Sequence, residues 1–239
     1  VSDEDVKGSI SERAPRRRGY DASGRQEKAR TTRRAVVAAA QELIEERGYA
    51  ATTVAAVASR AGVSADSIYK GFGTKAALIK AVFDVVIAGD DEAVPVSERP
   101  EVQRIIEAPS AAEKLLLYAE GAALRAERSA LVQIAVRDSA SSDEPIGELW
   151  RTIQEQRLNG ATMFAQHLFG TGGLREGIGV DEIRDVVWAC ISVEVYDLLV
   201  LQRGWSREDY ATWLARTLTA SICADPGPPP RRDSDSDPT

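Results

Sequence analysis

Few residues in this 239-residue chain have the types and spacings that covalent chemistry requires. Its one histidine, His167, has no GxSxG motif to serve, and its two cysteines, Cys190 and Cys223, lie in apolar contexts without a CxxC pair. A serine or cysteine nucleophile needs a base beside it, and a zinc site needs a cluster of ligands. Neither is supported, so no catalytic residue, metal or cofactor is expected, and His167 reads as core or pocket lining. The stretch GTGGLREGIG from Gly170 fails the GxGxxG pattern because Arg175 occupies its last position. GFGTK from Gly71 lacks the GxxxxGK spacing of a phosphate loop, and Asp90, Asp91 and Glu92 read as a solvated acidic run. The chain is not expected to be an enzyme.

What remains is the chemistry of cations meeting an anionic polymer. A net charge of −7 and a pI near 5.0 argue, taken whole, against a nucleic-acid partner. The charge is unevenly spread. From Arg13 to Lys80 there are 14 Lys and Arg against 6 Asp and Glu, a net of +8, whereas residues 81 to 239 hold 15 against 27, a net of −12. Such a split is expected when one part of a chain meets phosphate and the other does not, although a solvated basic face would read the same by charge alone.

The elements that must position those cations are helical. At 44% hydrophobic and 28% charged the chain can bury a core, and its apolar residues recur at spacings of three and four rather than alternating. The fold class is therefore all-α. A first helix is expected from Gln26 to Arg47, stopped by Gly48. Thr52 or Thr53 caps a second helix that ends at Gly62, and Ser64 caps a third through Tyr69 and Lys70. After a Gly71-Phe72-Gly73 break, Thr74 caps a fourth carrying Leu78, Val82 and Val86. Further helices are expected over Glu98 to Glu107, Ala111 to about Ser139 with a break near Arg128, Pro145 to Phe169, Asp181 to Arg203, and Arg207 to Ile222. Residues 1–24 and 225–239 are polar and read as disordered tails.

Thr53 to Phe72, TVAAVASRAGVSADSIYKGF, reads as helix, short glycine-containing turn, helix, the arrangement that lays a second helix in a major groove. Gly62 suits the left-handed turn, while Val54, Val57, Ala58, Val63 and Ile68 pack the two helices together. On these residues, and on the whole stretch from Ala35 to Phe83, the chain resembles the TetR family of bacterial one-component transcriptional regulators. Gly48, Thr53, Val57, Ala58, Ala61, Gly62, Val63, Ser64, Tyr69, Phe72, Lys75 and Leu78 stand where that family's pattern places them; Gly71 departs from it, standing where a histidine or another polar residue is frequent. The resemblance implies phosphate contacts from Thr53, Tyr69 and Lys75, two of them near helix N-termini whose dipoles favour an anion.

Base readout belongs to Ser64, Ala65, Asp66, Ser67 and Lys70 on the start and outer face of the third helix. Asp66 has two readings, acceptor for a cytosine amino group or partner of the helix dipole. Arg16, Arg17 and Arg18 likewise suit either an arm entering the minor groove or a solubilising tail.

The acidic remainder is expected to dimerise and sense. Val186 to Leu201 is apolar almost all round, and Glu194 and Asp197 make it too short and too acidic to span a membrane. With the stripe of Arg207 to Ile222 it suits a four-helix bundle between two subunits, giving a homodimer with Val187, Ile191, Val195, Tyr210, Trp213, Leu214 and Thr217 at the interface. The family resemblance implies a small-molecule pocket among the middle helices. Candidates are Tyr118, Gln133, Arg137, Trp150, Gln154, Arg157, Met163 and His167, each of which has a plainer reading: Trp150 joins Ile146, Ile153 and Phe164 in an ordinary core stripe, and Arg137 or Arg157 faces water.

The expected organisation is thus a basic arm at 1–24, a three-helix helix-turn-helix domain at 25–80, an effector-binding and dimerisation domain at 81–224, and a tail at 225–239. The implied partners are double-stranded operator DNA, an unknown small-molecule effector and a second copy of the chain. With no apolar leader visible, a cytoplasmic, nucleoid-associated address is expected and no membrane partner. The alternative from another class is a helical small-molecule carrier or protein-interaction module whose helix-turn-helix is vestigial.

Overall fold

The computed structural model describes residues 22–89 and 98–224, and among these the regular structure is helical, joined by short turns and loops, with an isolated antiparallel bridge between Leu174 and Cys223. The expected arm with Arg16, Arg17 and Arg18, the run Asp90, Asp91, Glu92 and the tail at 225–239 lie outside the described residues. Helix α1 (Ala22–Ala51) begins before the expected Gln26, and its geometry breaks at Gly48, with φ 73° and ψ 175°. That conformation costs glycine little and other residues much. Before the break α1 buries Val36, Val37, Ala40, Leu43 and Ile44, one face of a helix; after it, Tyr49 turns into the core.

Helices α2 (Val54–Ala61), α3 (Ala65–Phe72) and α4 (Lys75–Ala88) are each opened by a hydroxyl. Thr53 accepts from the Ala56 N–H at 3.1 Å, Ser64 from Ser67 at 3.2 Å and Thr74 from Ala77 at 3.0 Å. Each such cap contributes about 1 kcal/mol, and helices of two turns need it, being marginal in isolation. Gly62 turns the chain between α2 and α3 at φ 68°. The expected break at Gly71 does not occur; α3 runs through Phe72 and ends at Gly73, the residue with positive φ.

The remaining helices are α5 (Pro100–Glu107), α6 (Ala111–Ser139), α7 (Glu144–Phe169), α8 (Val180–Cys190), α9 (Val193–Tyr196) and α10 (Arg207–Ile222). No break occurs near Arg128: α6 is continuous and packs against α1, α4, α5, α7, α9 and α10. The expected single helix from Asp181 to Arg203 is, by contrast, divided. Ser192 takes extended geometry and accepts from the Val195 N–H, opening α9, and Asp197–Gln202 then continues with π-helical hydrogen bonding. A serine hydroxyl offers the backbone this alternative to helix, which apolar periodicity does not reveal.

Two apolar cores result. One joins α1–α4 to Val132 and Val136 of α6 and to Ile146, Leu149 and Ile153 of α7; the other is built by α6–α10 around Leu115, Leu168, Ile183, Tyr210, Leu214 and Leu218. Helix α4 crosses residue 80 and Trp150 packs against both cores, so the amino-terminal helices are seated on the carboxy-terminal ones. No described helix is long and apolar enough to cross a membrane.

Candidate functional site

Helix α3 is held by very little of itself. Ile68 is its one fully buried side chain, set in the core formed with Val54, Val57 and Leu78, while Ser64, Asp66, Ser67, Tyr69 and Lys70 are exposed and Ala65 is half-buried. Tyr69 is 52% exposed, its ring open to solvent on the outer side of α3. The Ser64 and Ser67 hydroxyls share a hydrogen bond of 2.8 Å, so the helix start is ordered before any partner arrives. Asp66 lies in the first turn, where the dipole favours a carboxylate. Thr53, at the start of α2, is exposed. Two contacts tie the pair of helices to α1: Arg60 grips Glu46 with both terminal nitrogens at 2.7 and 2.9 Å, and Arg33 lies 4.5 Å over the Phe72 ring. Arg33 is a cation beside the recognition helix that the sequence pattern did not single out, because it belongs to α1.

Lys75 is placed differently from its expected outward role. Its Nζ donates to the Tyr49 carbonyl at 2.8 Å and sits 3.6 Å from the Tyr49 ring centroid. Burial lowers its pKa, opposed by the charge of Asp143. The Tyr49 hydroxyl in turn donates to Asp143 Oδ2 at 2.7 Å, and Asp143 Oδ1 accepts from the Ile146 N–H at the start of α7. Burial and this carboxylate push the Tyr49 phenol pKa up. A chain of contacts therefore runs from α4 through the end of α1 to the N-cap of α7.

The eight expected pocket residues do not form one site. Tyr118 and Gln133 are buried, and Gln154 and Arg157 half-buried, along α6 and α7. Tyr118 stacks on Phe164 at 4.0 Å, and Arg157 donates to Gln154 Oε1 at 2.6 Å and to the Trp188 carbonyl at 3.0 Å. The other four are corrected. Met163 is 68% exposed on the outside of α7. Arg137 is spent on Asp138 at 2.9 Å and Glu194 at 3.6 Å. His167 Nε2 faces Lys114 Nζ at 3.0 Å, and that ammonium also caps the Ile105 and Ile106 carbonyls; burial and the lysine charge both lower the His167 pKa, keeping it a neutral acceptor. Trp150 fills core, its plainer reading. Trp188 joins this group, half-buried, although nothing but an apolar run marks it in the sequence.

Expected interface residues divide similarly. Val187, Tyr210 and Leu214 are enclosed in this chain's own core, because the stripe of α10 that carries Tyr210, Leu214, Leu218 and Ile222 packs inward. Trp213 and Thr217 face the other way, with Trp205, Asp209, Thr212, Arg216 and Ala220, along an open groove of about 710 Å³. Ile191 and Val195 remain half-exposed, and Leu198 is 55% exposed on the adjoining π segment.

Residues 36–82, α1 through most of α4, match the family described as bacterial regulatory proteins, tetR family. The chain is 28% identical over 172 residues to an uncharacterized HTH-type transcriptional regulator, YdeS, of Bacillus subtilis (strain 168), covering 71% of this chain and 79% of that protein. Its fold is that of NalD, the secondary repressor of the MexAB-OprM multidrug efflux pump in Pseudomonas aeruginosa, with a TM-score of 0.66 at 19% identity over 84% of this chain and all of that one. It is likewise that of FadR from Bacillus subtilis, solved in complex with stearoyl-CoA, with a TM-score of 0.63 at 23% identity over 79% of this chain and 98% of that one. The family match lies on the helix-turn-helix whose outer face stands free, and together with these relatives it supports a transcriptional regulator of the TetR type.

Proposed function

We propose that this regulator is a repressor that binds a pseudo-palindromic operator as a homodimer and is released when a small molecule enters its carboxy-terminal helices. The observation that carries the DNA-binding half is α3: eight residues with one buried side chain, its capped N-terminus and the Ser67–Lys70 face open to solvent. A helix so exposed gains little from its own fold and is placed for a groove. Thr53, Ser64, Ala65, Asp66, Ser67, Tyr69 and Lys70 form the contact surface, and Lys75 joins it once its ammonium leaves the Tyr49 carbonyl. Residues 25–80 act as the DNA-binding unit and 81–224 as the sensing and dimerising unit. The dimer forms through the outer faces of α8 and α10, with Trp213 and Thr217 at the contact and Val187, Tyr210 and Leu214 supporting it from within. Release by a ligand rests on the half-buried polar group around Arg157 and on the ligand complex of the fold relative. A cytoplasmic address follows from the operator.

The test is an electrophoretic mobility shift of the full chain on the DNA upstream of its own gene across a series of salt concentrations. Specific binding should weaken steeply with salt, in proportion to the phosphates engaged. Equal retention of unrelated DNA, or none at all, would defeat the repressor reading.

A further inference from the structure

We propose that the effector is an organic anion whose acidic head is taken by Arg157, flanked by Gln154 Nε2 and Trp188 Nε1. This rests on the effector-responsive reading above and gives it a chemical class. Arg157, on α7, is half-buried, enough that desolvation lowers its pKa, yet both of its hydrogen-bond partners are neutral: Gln154 Oε1 at 2.6 Å and the Trp188 carbonyl at 3.0 Å. No carboxylate lies within ion-pair distance of it among the described residues. Glu194, the acid that acts on it electrostatically, is engaged by Arg137. A desolvated guanidinium without a counter-charge is costly, and natural cores seldom keep one without a use.

The neighbours add to the surplus of donors. Arginine has only N–H groups to offer, so Gln154 must turn its carbonyl oxygen toward it, which leaves Gln154 Nε2 buried with no acceptor. Trp188 Nε1, on the residue whose carbonyl Arg157 already holds, is also buried and unpartnered. The Trp188 ring lies 5.7 Å from the guanidinium carbon. Two donors without acceptors beside a cation without a counter-ion call for one group that is both negative and rich in lone pairs. Beyond them the stacked rings of Tyr118 and Phe164 provide an apolar wall, and Arg125, 5.8 Å from the Tyr118 ring, adds a second positive charge. A cationic ligand meets repulsion here, and a neutral one leaves the guanidinium as it was.

Octanoate and benzoate, each against its neutral amide and the matching amine, form the probe set on the full-length protein. The readouts are thermal shift and release of labelled operator DNA. The carboxylates should raise Tm and release DNA, with the amides weaker by about tenfold or more and the amines inactive. Gln154→Glu supplies the missing anion internally: it should raise the Tm of the unliganded protein and abolish the carboxylate response. Arg157→Met, which removes the charge and keeps the bulk, should leave Tm unchanged or higher while losing the same response. Amides acting as well as carboxylates, carboxylates acting equally on Arg157→Met, no response to either carboxylate, or a lowered Tm for Gln154→Glu would each overturn the anion assignment. An amide that releases DNA as well as its carboxylate, or an amine that releases it at all, would leave the effector reading standing while removing this one, which keeps the two failures distinct.

Discussion

Lys70 and Lys75 are five positions apart in sequence and stand in opposite conditions. Lys70 is in solvent on α3, whereas Lys75 is drawn onto the Tyr49 carbonyl and ring. In the proposed operator complex Lys75 would exchange that carbonyl for a phosphate, a contact that carries no base information. Lys75→Ala should weaken binding to all sequences alike and reduce the salt slope by about 1, whereas changes at Ser67 or Lys70 should alter base preference. Fluorescence anisotropy on operator and scrambled duplexes at several salt concentrations separates the two, and an unchanged slope for Lys75→Ala would remove its phosphate role. The identity of such residues is legible in sequence because caps and turn glycines fix their register within a few positions. Their present partners are not, since the Tyr49 carbonyl becomes available only through the break at Gly48.

Among the elements, α2, α3 and α4 were readable from Thr53, Gly62, Ser64 and Thr74 because local hydrogen bonds define them. The division of the Asp181–Arg203 segment was not, since an all-round apolar run has no phase to betray a break. Which stripe of α10 faces inward was equally hidden, because it depends on where α6 lies. The contact of α1 with α7 belongs to this scale. Tyr49 lies after the Gly48 break and Asp143 is the cap of α7, so one hydrogen bond joins the base of the helix-turn-helix unit to a helix of the carboxy-terminal core. Tyr49→Phe keeps the ring and deletes that bond. We expect a loss of about 1.5–3 kcal/mol, typical of a hydrogen bond to a charged group, seen as a lower urea midpoint with unchanged slope. A midpoint equal to wild type would mean that the bond adds nothing to the union of the two regions.

For the molecule as a whole, a chain with a net charge of −7 approaches DNA because its positive charge is segregated at one end. The opposite helices display Trp213, Thr217 and Leu198, a surface suited to a second copy. Trp213→Asp should yield monomers in sedimentation velocity, and because two half-sites are then no longer joined, operator affinity should fall with it. A dimer that persists would place the interface elsewhere. The continuity of α6 sets how far a small event can be felt. At 29 residues and about 1.5 Å per residue it is a rod of about 43 Å. Tyr118, beside the proposed anion site, lies toward one end, and Val132 and Val136, packed against the amino-terminal core, toward the other. A pivot of about 5° displaces one end of such a rod relative to the other by about 4 Å. That is more than a hydrogen bond to a phosphate survives, so under the proposed function a bound ligand would need only to tilt this rod to pry the protein off DNA, without any helix having to melt.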